Sequence, residues 1–65
     1  MQRIPTASDL TPGEHASLRE VVARSFLSRG TVPAARRVRL LELGLIQDAM
    51  GGLIPTPAGK IVARM

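Results

Sequence analysis

Eight arginines and one lysine carry most of the chemistry that this 65-residue sequence can offer. Three of them, Arg36, Arg37 and Arg39, fall within four positions, with Arg29 shortly before and Lys60 further on. A guanidinium is a planar fork of donors that suits phosphate oxygens and base edges. Against five acids these bases leave a net charge of +4. Such an excess attracts polyanions at long range, although it also serves simply to keep a Leu-rich domain in solution. The acids, Asp9, Glu14, Glu20, Glu42 and Asp48, are dispersed, so spacing forces no carboxylate pair together. His15 is the only imidazole, and Ser17, Ser25 and Ser28 have no base beside them and no glycine-rich nucleophile turn. Without cysteine there is neither a disulfide nor a thiolate metal site. Binding is therefore expected, without catalysis, cofactor, metal or small-molecule substrate.

The bases must be positioned by short elements. Residues 1–10 show no period, and Pro5 breaks an early helix, so they read as an arm in which Arg3 and Ile4 could grip a neighbour. A single domain then spans 11–65. Thr11-Pro12-Gly13-Glu14 combines a cap, a proline in the first turn and an acid placed for a capping box. The helix it opens is expected to reach about Ser28, with Gly30 as its left-handed end. At about 100° per residue, Leu18, Val21, Val22, Ser25 and Phe26 share its core face, while Leu27 falls on the far side with Ala16 and Ala23. A second helix is expected over 33–43, closed by Gly44 with Leu45 completing a Schellman-type contact. Two short strands then flank Gly51-Gly52, a pair suited to the two positive φ values of a type I′ turn, which sets Met50 against Leu53 and Ala49 against Ile54. Thr56-Pro57-Ala58-Gly59 repeats the cap-plus-proline signal and opens a last helix with Ala58, Ile61, Val62 and Met65 on its apolar side. The expected class is mainly α with a small β-hairpin, in the order helix, helix, hairpin, helix.

The run Leu40-Leu41-Glu42-Leu43-Gly44-Leu45-Ile46, then Gly51-Gly52-Leu53, then Thr56-Pro57-Ala58-Gly59-Lys60 resembles winged helix-turn-helix domains of bacterial regulators, over roughly residues 32–65. The resemblance implies a recognition helix over 33–43, a wing over 46–54, and contacts to DNA from Arg36, Arg37 and Arg39, with Lys60 at a phosphate near the wing base. The chain departs from that pattern in two ways. Only residues 29–32 are available for the helix that normally precedes the recognition helix, so it is missing or reduced to a turn. The wing reads Asp48-Ala49-Met50-Gly51-Gly52-Leu53-Ile54, with an acid and no base.

The second helix also carries apolar residues on two sides. Val38 shares one side with Ala34 and Leu41, Leu40 and Leu43 fall on the reverse with Arg36, and Arg37 and Arg39 project from opposite flanks. Such a helix is expected between its own domain and a partner. The leading expectation is a small homodimeric winged-helix-like protein that binds nucleic acid, most simply DNA, as a regulatory or accessory factor using Arg29, Arg36, Arg37, Arg39 and Lys60. The alternative is a protein-interaction or dimerisation module on the same scaffold. Leu27, Leu40, Leu43, Met50 and Leu53 are the expected core and partner contacts in either case. No apolar run approaches the roughly 20 residues that span a bilayer, and no secretory signal is evident, so the cytoplasm is the expected compartment.

Overall fold

A computed structural model describes residues 6–65. The expected contacts of Arg3 and Ile4 lie outside the described residues. Of the expected arm, Thr6 caps a 3-10 turn over Ala7–Asp9, its backbone N–H donating to the Asp9 carboxylate at 2.9 Å. Leu10 then enters the core, so this part of the arm is packed.

Helix α1 spans Pro12–Arg24 and opens on the expected capping box. The Glu14 N–H donates to Thr11 Oγ1 at 3.2 Å, and the Thr11 N–H donates to Glu14 Oε1 at 3.0 Å. Leu18 and Val21 are fully buried. The helix stops four residues short of the expected end, at Ser25, which adopts a left-handed φ of 63°. The early stop has a packing cause. It releases Leu27–Ser28 to form a short strand, β1, and lays the Phe26 ring over Gly52. Leu27 is thereby buried in a sheet instead of facing outward on a helix. A 3-10 turn over Arg29–Thr31 then occupies the place where a positioning helix was expected to be absent or reduced.

Helix α2 spans Ala34–Glu42. Its end is a Schellman arrangement: Gly44, at φ 73°, donates to Leu41 O at 3.1 Å, and Leu45 donates to Leu40 O at 3.0 Å. Leu40 and Leu45 are both fully buried, as that motif's hydrophobic contact requires.

Strands β2, Ile46–Ala49, and β3, Gly52–Pro55, form the hairpin, and the antiparallel sheet runs β1-β3-β2. Ala49 pairs with Gly52 and Asp48 with Leu53, which shifts the turn one residue from the expected Gly51-Gly52. The positive φ values fall on Met50, at 52°, and Gly51, at 81°. Gly52 is withdrawn into the strand because β1 crosses it: a Cβ there would lie 2.7 Å from the Leu27 carbonyl oxygen and would overlap the Phe26 ring. Glycine at 52 is thus used for close approach, and Met50 accepts the left-handed conformation in its place.

Helix α3, Pro57–Ala63, is capped by Thr56, whose Oγ1 accepts from the Gly59 N–H at 3.0 Å and donates to Gly44 O at 2.6 Å. The same threonine therefore joins the end of α2 to the start of α3. The core they enclose comprises Leu10, Leu18, Val21, Leu27, Val32, Leu40, Leu45, Ile46, Leu53 and Val62. Among the described residues, no helix is long and apolar enough to cross a membrane.

Candidate functional site

Helix α2 is anchored through Leu40, so the opposite side must face solvent. At about 100° per residue that side carries Ala34, Ala35, Val38 and Glu42, all exposed. The two-sided pattern resolves accordingly: Leu40, Leu43 and, from the expected outer side, Leu41 pack on the core, whereas Ala34 and Val38 stay open, with Val38 52% exposed. No arginine stands at the centre of the outward face.

Arg39 borders it, Arg36 and Arg37 lie nearer the Leu40 side, and Arg29 stands on the preceding turn. On one side Arg36 and Arg39 fold back toward α1. Arg36 Nη1 donates to Ser17 Oγ at 3.4 Å, and its guanidinium lies where a Cβ on Gly13 would come within 2.7 Å of Nη2. Arg39 Nη2 donates to the Asp9 carbonyl at 3.5 Å, and its Nε stands 4.0 Å from Glu14 Oε1. These are long contacts. On the other side, Arg37 Nη1 donates to the Arg29 carbonyl at 2.8 Å, and Arg29 Nη2 pairs with Asp48 Oδ1 at 2.8 Å. That relay ties α2 to the connecting turn and the turn to the hairpin.

Lys60 is exposed on α3, on the same face as Arg64 one turn later. The expected partner contacts separate more sharply. Leu40 and Leu53 are fully buried and Leu27 is 7% exposed, so these three belong to the chain's own core and are not available to a partner. Leu43 is half-buried at the end of α2, and Met50 at the hairpin tip is 98% exposed. His15 Nε2 lies 3.3 Å from the Val62 carbonyl, a hydrogen bond that docks α3 on α1.

Several contributors were not visible in the spacing of basic residues. Gly13 leaves room for the Arg36 guanidinium, Ser17 receives its hydrogen bond, and Asp48 occupies Arg29. The only cue in the sequence was Asp48 itself, an acid in a segment where a base was expected. No cluster of three or more His, Asp or Glu able to hold a metal occurs among the described residues. Comparison with protein-family models, with curated proteins and with solved structures finds no match for this chain.

Proposed function

We propose that this chain is a small winged-helix-like protein that binds duplex nucleic acid through α2, as a regulatory or accessory factor. One observation carries the reading. The exposed side of α2 carries small side chains, Ala34, Ala35 and Val38, ahead of Glu42 at its end, with exposed Arg39 on one flank and half-buried Arg37 toward the other. Small residues let a helix approach the floor of a major groove closely, while flanking guanidiniums reach the phosphates on either rim. The order of helix, helix, hairpin and helix is compatible with this scaffold.

The long contacts of Arg36 and Arg39 favour the same reading. The Arg36–Ser17 bond at 3.4 Å and the Arg39–Glu14 pair at 4.0 Å are long, and both guanidiniums are exposed, so exchanging these contacts for phosphates releases weak ones. Fluorescence anisotropy with a labelled duplex, titrated over salt, tests the proposal. Log affinity should fall linearly with log salt, with a slope of about −0.9 per phosphate contact. An Arg36→Ala/Arg37→Ala/Arg39→Ala variant should lose measurable binding while keeping its circular dichroism spectrum. Equal affinity of the folded variant and the unaltered chain would reject the assignment.

A second reading is favoured by the hairpin tip, where Met50 is 98% exposed beside an acid. An apolar tip of this kind suits a protein contact, either with another chain or with a second copy in a homodimer. If the tip is an interface between copies, Met50→Asp should lower the mass observed by light scattering. An identical mass for both proteins, at concentrations where the unaltered chain is dimeric, would count against it.

A further inference from the structure

A second cationic surface lies away from α2. Between α1 and α3 runs an open groove of about 530 Å³. Its lining is mostly apolar, from Ala16, Val22, Ala23 and Ala63 together with the stems of Arg19, Arg24 and Arg64. Glu20 is its only acid and stands 3.9 Å from Arg24 in a long, exposed pair, so the lining sets three guanidiniums against one carboxylate. No acid among the described residues pairs with Arg19 or Arg64. Lys60, one turn before Arg64 on α3, is exposed but does not line the groove.

We propose that this groove docks an acidic amphipathic helix of a partner protein. The charge complementarity decides the occupant. A second copy of this chain would bring a lining of the same net positive charge, three guanidiniums to one carboxylate, which like-charge repulsion opposes. A duplex could meet the charged side chains, but a depression between two helices, unlike the convex face of α2, cannot enter a DNA groove and would leave its alanine-lined surface unfilled. An amphipathic helix with acids on its flanks satisfies both features. Ala16 and Ala23 are seven residues apart on α1, so the apolar lining extends about 10 Å along that helix, enough for roughly two turns of a partner helix. Alanines in that lining permit close packing of the partner's Leu or Met side chains. This surface shares no residue with the α2 face, so the inference stands independently of the proposed DNA contact.

The test uses the full chain and a synthetic helical peptide of about 14 residues, with Leu on one face and Glu elsewhere. A peptide with Lys replacing every Glu and a short DNA duplex are the comparison probes. Amide shifts in ¹H–¹⁵N spectra at 100 mM salt should move for Ala16, Arg19, Ala23, Ala63 and Arg64 with the acidic peptide. Arg19→Glu/Arg64→Glu should weaken that peptide by about tenfold or more, as reversal of two lining charges predicts. Shifts confined to α2, equal binding of the Lys peptide, or occupation of the groove by the duplex would each overturn the proposal. Should the charge-reversed variant fail to fold, the shift map of the unaltered chain decides between the same outcomes.

Discussion

At the residue scale, function and stability turn on what a few side chains leave room for. Gly59 packs directly against the Leu45 carbonyl, and a Cβ there would overlap that oxygen. Gly59→Ala must therefore push α3 off the Leu45 backbone, which overpacking data place at about 1–3 kcal/mol. Gly30 has nothing within 4 Å of a would-be Cβ and no positive φ, so Gly30→Ala should leave the melting temperature almost unchanged. Thermal denaturation of the pair checks both expectations. Asp48 poses a different question, because it holds Arg29 at 2.8 Å in an exposed pair. If α2 and its neighbours meet phosphates, Asp48→Asn should free Arg29 and remove a repulsive charge. Duplex affinity should then rise several-fold, and the salt slope should steepen by about one phosphate. Unchanged affinity and slope in that variant would show that Arg29 does not reach the nucleic acid.

At the element scale, the ends of helices were the most readable features and their tertiary consequences the least. Thr11 with Glu14, Gly44 with Leu45, and Thr56 with Gly59 all act locally, and each cap forms as its spacing implied. The end of α1 was not readable in this way. No local signal at Ser25 outweighs the continuing apolar period, and the stop depends on Leu27 finding its partner Leu53 in β3, on the far side of α2 in the sequence. The hairpin register escaped for the same reason, since Gly52 looks like a turn residue until β1 is placed beside it. The candidate arginines were readable as residues. Their placement around α2 depended on which side Leu40 buries. The caps also differ in reach. Thr11→Ala removes one capping box, at about 1 kcal/mol. Thr56→Ala removes a cap and the 2.6 Å bond to Gly44, so it should cost more and uncouple α2 from α3. Urea unfolding should show the larger loss for Thr56→Ala, and equal losses would mean the Gly44 bond contributes nothing.

At the scale of the whole molecule, the distribution of charge matters more than its sum. The domain measures 30 × 22 × 19 Å, with Arg29, Arg36, Arg37 and Arg39 on or beside α2 and Arg19, Arg24 and Arg64 lining the α1–α3 groove. The Debye length is about 8 Å at 0.15 M salt and about 30 Å at 0.01 M. At the lower salt it equals the longest dimension of the molecule, so every charge feels every other. An acidic peptide seated in the groove should then weaken duplex binding at α2, because it cancels part of the field that attracts phosphates. At 0.15 M the two faces are screened from each other, and the duplex affinity should be the same with or without peptide. By reciprocity, the duplex should weaken the peptide by the same factor in each buffer. Anisotropy titrations of one ligand at saturating levels of the other, in both buffers, measure this coupling directly. Competition that persists unchanged at 0.15 M would require one shared surface, and the separation of the two faces would have to be abandoned.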